Sequence, residues 1–99
     1  MVSIVWTEAS VSDLKEIFDF IASDSKRYAE ITNYKIFQRV QDLIFNPKLG
    51  RIVPEFNNSL IRELIEGRYR IIYKIKNEKQ VDVIRIYHSS RLLNKKVLS

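Results

Sequence analysis

The chain has 99 residues, of which 45% are hydrophobic and 29% are charged, so it fits a single globular domain over residues 1–99 and not a disordered chain. It has no Cys and one His, which argues against a disulfide framework and a structural zinc site, and we expect no metal and no cofactor. Lys and Arg number 17 against 12 Asp and Glu, and the net charge of +5 favours a polyanion or an acidic protein as partner, the alternative being a solvated basic surface.

The N-terminal segment from Met1 to Trp6 is apolar and rich in β-branched residues, which predicts a strand. It lacks the basic start and long apolar core of a signal peptide. No apolar run in the chain approaches the roughly 18 residues that a membrane span needs. We therefore expect a cytoplasmic protein without a membrane partner.

Two amphipathic helices are predicted next, from Glu8 to Ser23 and from Lys26 to Phe45. Apolar residues recur at three- and four-residue steps in both, and Thr7 and Ser25 are suitable caps. Asn46-Pro47 ends the second helix, because proline disfavours a helical conformation in the residue before it. The short polar joint between the helices predicts an antiparallel hairpin whose apolar faces pack into a core.

Residues 48–59 are predicted to be a loop, and three strands follow, from Leu60 to Ile65, from Arg68 to Lys76 and from Val81 to His88. The order β-αα-βββ predicts an α+β fold, with an antiparallel sheet and the N-terminal helical hairpin packed on one face. The first strand is expected to join that sheet. The face away from the helices is expected to be open and to carry Arg68 or Arg70, and residues 89–99 form a basic tail.

In the last strand, strict alternation would place one set of residues on one face and the remaining set on the other. The first set is Val81, Val83, Arg85 and Tyr87, and the second is Asp82, Ile84, Ile86 and His88.

Three stretches carry a resemblance to a known family. They are IVWTEASVSDLKEIFDFIA at the start, NPKLGRIVPEF in the middle, and IRELIEGRYRIIYKI followed by VDVIRIYHSSRLL. Together they resemble the RelE/ParE superfamily of toxins from type II toxin–antitoxin modules, also known as plasmid stabilisation proteins. The similarity covers nearly the whole chain, and its most specific parts are the Tyr-Arg-Ile-x-Tyr strand and the terminal His-x-x-Arg-x-Leu.

The resemblance implies a growth-inhibiting toxin that a cognate antitoxin neutralises, with one of two targets. ParE-like members poison DNA gyrase, whereas RelE-like members are metal-independent ribonucleases that cut messenger RNA on the ribosome. In the ribonuclease branch Arg70 would be the transition-state cation, Glu55 a base and His88 an acid, so the protein would be an enzyme only in that case.

The sequence departs from the ribonuclease pattern at three positions. Ser89 stands where that branch has an aromatic hydroxyl, and Ile61 and Glu63 stand where it has a lysine pair. Arg62, Glu63 and Leu64, together with the ending HSSRL of residues 88–92, favour the gyrase-poisoning interpretation. The candidate target-contacting residues are Arg62, Arg68, Arg70 and Arg91, and a basic homologue without activity is a further alternative.

Structural alternatives remain open for the same side chains. Arg70 could pair with Glu63 or Asp82 across strands. His88 could be a structural histidine at a strand end, and Glu55 a solvated loop residue.

Overall fold

The structure is a computed structural model that describes residues 1–89, and it contains two helices and five strands in that range. The elements are β1 (Ser3–Trp6), α1 (Glu8–Ala22), α2 (Lys26–Gln41), a 3-10 turn (Asp42–Ile44), β2 (Arg51–Ile52), β3 (Ile61–Glu66), β4 (Tyr69–Asn77) and β5 (Gln80–His88). The predicted helices and strands are confirmed to within a few residues. The two-residue strand β2 lies in the segment that was predicted to be a loop.

The sheet has the order β1-β5-β4-β3-β2. Strands β2 to β5 pair antiparallel, but β1 runs parallel to β5. The predicted α+β fold is confirmed, whereas an antiparallel sheet throughout is wrong. A parallel neighbour needs a long connection to bring the chain back, and the segment between β1 and β5, which contains both helices, supplies it.

Thr7 joins the start of α1 to β5. Its hydroxyl oxygen accepts the N–H of Ser10 as the helix cap, and its O–H group donates to the carbonyl of Val83 at 2.8 Å. Ser25 caps α2 in the same way by accepting the N–H of Tyr28. Such caps satisfy N–H groups that have no partner within the helix and are typically worth about 1 kcal/mol.

Asp13 covers an edge of β5 that β1 does not reach. Strand β1 ends at Trp6, opposite Val83, so no strand within residues 1–89 pairs with the N–H groups that follow on that edge. The Asp13 carboxylate accepts the N–H of Ile86 at 2.9 Å and two guanidinium N–H groups of Arg85 at 2.8 and 3.0 Å. These bonds raise the pKa of Arg85. Asp13 is therefore buried, as a charged side chain rarely is unless it is paired.

A β-bulge in β5 changes which residues face the helices. The register with β4 shifts so that Ile84 has no partner on that strand. Before the bulge Val83 belongs to the core beneath the helices, and after it Ile86 does too, while Tyr87 lies on the other face. The predicted strict alternation, which put Val83 and Ile86 on opposite faces, is wrong because an extra residue reverses the pattern.

The larger core lies between the helices and the sheet. It includes Ile36 and Val40 of α2, with Leu14 and Ile17 of α1 at its margin, packed on central strand residues such as Ile71. Part of each predicted apolar stripe is thus used in packing, whereas Val11 of α1 and Phe37 of α2, which were predicted to belong to the stripes, are exposed.

Tyr73 anchors the chain between α2 and β2. Its ring is completely buried, its hydroxyl donates to the carbonyl of Pro47 at 2.7 Å, and it accepts the N–H of Gly50 at 2.9 Å. Burial is the main reason that the pKa of Tyr73 is raised. Gly50 passes so close that a Cβ there would lie 2.8 Å from the Tyr73 ring. This anchor places the chain at the edge of the sheet, where β2 begins.

Candidate functional site

Arg70 lies on the sheet face away from the helices and is only 6% exposed. Its neighbour Ile71 packs in the core beneath the helices, so alternation along β4 turns Arg70 to the opposite face. There its Nη1 and Nη2 atoms donate to the two carboxylate oxygens of Glu55 at 2.8 and 2.9 Å. Its Nε atom donates to Oε2 of Glu63 at 2.6 Å. Arg70 is thus held by two carboxylates at once.

Glu63 connects Arg70 to a second arginine. The Glu63 side chain is fully buried, and its other oxygen accepts the Nε–H of Arg51 at 2.6 Å. Arg51 lies opposite Glu63 in the β2–β3 pair, and its side chain is 64% exposed. Arg51, Glu55, Glu63 and Arg70 are called the ion cluster below. Hydrogen bonding by Glu55, and then by Glu63, outweighs burial and raises the pKa of Arg70, which therefore stays charged.

Residues 53–60, called the strap below, lie over this face of the sheet. Val53 is completely buried and Phe56 is 8% exposed, and both pack against Ile72 and Tyr87 in a second, smaller core. The expectation of an open face that displays Arg70 is therefore wrong. A loop that looks polar overall covers the face because it contributes two apolar side chains and the Glu55 carboxylate.

His88 lies on the other face of the sheet from Arg70. It is paired with Tyr69 in the β4–β5 register, and residues paired in this way point to the same side. The two rings meet edge to face with centroids 5.9 Å apart, and Tyr69 packs at the margin of the core beneath the helices. The structure thus brings Glu55 and Arg70 together and separates both from His88. The catalytic roles of the three residues stay predictions.

A groove opens on the helix side of the sheet, between the helical hairpin and the β3–β4 turn. It has a volume of about 570 Å³ and contains both aromatic and charged side chains. Phe20 and Tyr28 stand out from its helical wall, with 79% and 60% of their surface exposed. The groove, as named below, is lined by Phe20, Ile21, Tyr28, Ile31, Thr32, Lys35, Glu66, Gly67, Arg68, Tyr69 and His88.

The candidate target-contacting arginines have different surroundings. Arg62 donates to the backbone carbonyls of Ser59 and Gly50, each at 3.0 Å. It thus links the end of the strap to the residue that precedes β2. Arg68 lies in the β3–β4 turn, is exposed and lines the groove. Arg70 is buried in the ion cluster, and Arg91 lies outside the described residues. Their roles in target contact stay predictions.

The sequence interpretation did not single out Arg51, Phe20 or Tyr28. The Arg70–Glu63 pair was foreseen as a structural alternative, but as a surface pair and not as a buried one. Phe20 and Tyr28 fall outside the apolar stripes of their helices. An aromatic residue on the polar side of an amphipathic helix could have indicated an exposed apolar surface from the sequence alone.

Neither a metal centre nor a membrane span is found in the part of the chain that the structure describes. No three side chains of His, Cys, Asp or Glu in residues 1–89 are placed to hold one ion. Neither α1 nor α2 combines the length and hydrophobicity of a membrane-crossing helix.

Comparison with known proteins agrees with this architecture. The sequence model of the family described as "ParE toxin of type II toxin-antitoxin system, parDE" matches residues 4–93. Among solved structures the fold is similar to a chain of the "Chromosomal ParDE TA system from P. aeruginosa", with a TM-score of 0.73 and 23% identity. That match covers 89% of this chain and 96% of the other. No protein of curated function matches the sequence.

Proposed function

The chain belongs to the ParE toxin family of type II toxin–antitoxin systems, and from this premise we propose that it poisons DNA gyrase and is neutralised by a cognate antitoxin. The ribonuclease alternative would require Glu55, Arg70 and His88 to act on a single phosphodiester. The observation that carries the proposal is that Arg70 and His88 lie on opposite faces of the sheet.

Acid–base cleavage of RNA needs its groups within hydrogen-bond reach of the same reacting atoms. His88 packs against Tyr69 at the groove, while Arg70 is enclosed beneath the strap. The carboxylate that would serve as base is already bound in a bidentate pair to the arginine that would serve as cation. This arrangement supports inhibition through contact with a protein target over catalysis by these residues.

The groove is the proposed docking surface for the antitoxin. It exposes Phe20 and Tyr28 on the helical hairpin. Large apolar side chains that are exposed to water in a groove are typical of a surface that binds another protein. An antitoxin segment that folds on binding would cover such a groove with its own apolar face. The net charge of +5 favours an acidic segment, because opposite charge accelerates and orients association.

Expression of the chain without its antitoxin tests the toxin activity and its target together. We expect growth to stop, the chromosome to acquire gyrase-dependent double-strand breaks, and transcripts to stay intact. Cleaved transcripts with an intact chromosome would assign the chain to the ribonuclease branch instead. Unimpaired growth at a verified protein level would contradict both activities.

The docking surface is tested by placing a charge in the groove. Phe20→Asp is expected to weaken antitoxin binding by at least tenfold, since a buried carboxylate without a partner opposes the apolar contact. Val11→Asp is the matched control, because Val11 is also exposed on α1 but does not line the groove. Equal affinities of the two variants in isothermal titration calorimetry would place the antitoxin elsewhere.

A further inference from the structure

The outer edge of β1 is the side of that strand that faces away from β5. Strand β1 is the first in the sheet order, and β5 is its strand partner among residues 1–89. The N–H groups of Ser3 and Thr7 donate to carbonyls on the β5 side. Because backbone groups alternate in direction along a strand, the N–H and C=O groups of Ile4 and Trp6 point outward. Within residues 1–89 these four groups form no hydrogen bond.

This edge lacks the features that usually keep an edge strand from pairing with another chain. Such features are charged residues, prolines, bulges and very short strands. Residues 2–6 read VSIVW, without a charge or a proline, and β1 pairs with β5 without a register shift. The opposite edge is protected, because β2 has two residues and one of them is Arg51. The outer edge of β1 is therefore available to a further strand.

A second copy of β1 satisfies all the outward groups of this edge. In an antiparallel pair about a two-fold axis at Val5, Ile4 of each copy faces Trp6 of the other. Two residues that face each other in this way exchange two hydrogen bonds, so the two pairs form four. The pairing ends at Val2, the next outward residue, because its N–H already donates to the carbonyl of Ile44 at 2.9 Å.

Exposed apolar side chains lie at the axis and at both ends of the edge. Val5 is 40% exposed, and at the axis its Cβ atom would lie about 5 Å from that of the second copy. Phe45 follows Ile44 at the start of β1, and Phe37 stacks on Trp6 at its end. Both phenylalanines are exposed. The two-fold axis brings the start of one β1 next to the end of the other, so Phe45 of each copy approaches Phe37 of its neighbour.

The charges at the two ends of β1 are opposite and favour the antiparallel arrangement. Lys79 lies at the start of β1, where its carbonyl accepts the N–H of Ser3, and it is exposed. Glu8 lies just after the end of β1 and is exposed as well. The two-fold axis places Lys79 of each copy near Glu8 of the other. A parallel pair would instead bring like charges together.

We propose that the outer edge of β1 is a homodimer interface, in which two copies of β1 pair antiparallel about a two-fold axis at Val5. The two five-stranded sheets then form one continuous sheet. Four backbone hydrogen bonds and a few apolar side chains make a small interface, so we expect a Kd of roughly 10–100 μM. No β1 residue lines the groove, and the dimer leaves the proposed antitoxin surface free.

Sedimentation equilibrium of the purified chain between about 5 and 500 μM tests the dimer, and we expect a reversible rise from one to two chain masses. Val5→Lys sets two like charges against each other at the axis and should weaken association by at least about tenfold. Val5→Glu should do the same, whereas an equimolar mixture of the two variants should associate again. Ile52→Lys is the matched control, because Ile52 is 44% exposed on the opposite edge strand.

A cysteine at the axis gives a second, independent readout. The chain has no Cys, so Val5→Cys introduces a single thiol. The facing Cβ atoms lie near the separation that a disulfide spans. Under mild oxidation Val5→Cys should form a linked dimer at least about tenfold faster than Ile52→Cys. Circular dichroism establishes that each variant is folded, and if Val5→Lys is not, Val5→Cys carries the test.

Three results would overturn the proposal. The first is a chain that stays monomeric over the whole concentration range. The second is equal linking of Val5→Cys and Ile52→Cys, or a mixture of Val5→Lys and Val5→Glu that does not associate. The third is a monomeric chain whose antitoxin affinity falls in Val5→Lys, which would assign the edge to a strand of the antitoxin instead of a second copy.

Discussion

Replacement of Arg70 with Met should destabilise the fold strongly, because it leaves the buried Glu63 carboxylate with Arg51 as its remaining partner in the ion cluster. The side chain of Glu63 is 0% exposed, and its contact with Arg51 at 2.6 Å would survive. Removing one partner of a buried ion pair typically costs about 3–5 kcal/mol, so the surviving contact suggests a loss of about 3 kcal/mol in the free energy of unfolding. For a domain of this size that corresponds to a fall in Tm of more than about 10 °C.

Urea unfolding followed by circular dichroism measures this loss. Arg68→Met is the matched control, since it removes the same charge from an exposed turn two residues earlier and should change stability by less than about 0.5 kcal/mol. A double variant that adds Glu63→Leu to Arg70→Met should recover part of the loss, because it removes the stranded carboxylate. Equal stability of Arg70→Met and Arg68→Met, or no recovery in the double variant, would refute the buried pair as the cause.

Two other substitutions test the remaining buried polar contacts. Tyr73→Phe deprives the carbonyl of Pro47 and the N–H of Gly50 of their partner and should cost about 2 kcal/mol in urea unfolding. Because burial raises the pKa of Tyr73, the folded chain holds the phenolic proton more tightly than the unfolded chain does. The free energy of unfolding should therefore fall as pH rises above about 10. The fall should be less steep in Tyr73→Phe, which lacks the phenolic proton. An identical pH dependence in the two chains would contradict the conclusion that burial of Tyr73 causes the fall. Asp13→Asn weakens the hydrogen bonds that the Asp13 carboxylate accepts from β5 and should lower the free energy of unfolding by about 1–3 kcal/mol. Asp19→Asn, on the exposed side of α1, is the control and should have little effect.

Periodicity in the sequence was sufficient to predict the helices and the three long strands. It could not predict that β1 runs parallel to β5, because strand direction depends on how the connection returns and not on the strand's own residues. It also missed the bulge at Ile84, since a single unpaired residue reverses the faces of β5 without disturbing the run of β-branched side chains. The features of the fold that were predicted wrongly are those that depend on contacts between elements distant in the sequence.

The candidate site was predicted less completely for a related reason. The basic pattern of β4 identified Arg70, but whether that face is open depends on the strap, whose Val53 and Phe56 occur among polar residues. The apolar Val53 and Phe56 in this loop, together with the acidic Glu63 on the strand that pairs with β4, were the signals of a covered and internally paired arginine. A charged residue on one face of a strand therefore indicates a binding partner of opposite charge. Only the packing of the neighbouring loop shows whether that partner belongs to the same chain or to another molecule.

The pairing of Arg70 also explains why a motif shared between toxin branches does not by itself assign an activity. In this chain the arginine that would stabilise a phosphorane-like transition state is bound by Glu55 and Glu63. The same residue type in the same strand thus fastens the strap to the sheet in this chain. The groove on the opposite face, with its exposed aromatic side chains, is the surface that we propose for contact with the antitoxin.

Incubation of the purified chain with DNA gyrase, ATP and supercoiled plasmid tests the proposed target most directly. We predict double-strand breaks that are covalently linked to gyrase and become visible as linear plasmid after treatment with detergent and protease. Plasmid that remains intact in this assay, with messenger RNA cut when the chain is added to translating ribosomes, would contradict the proposed target.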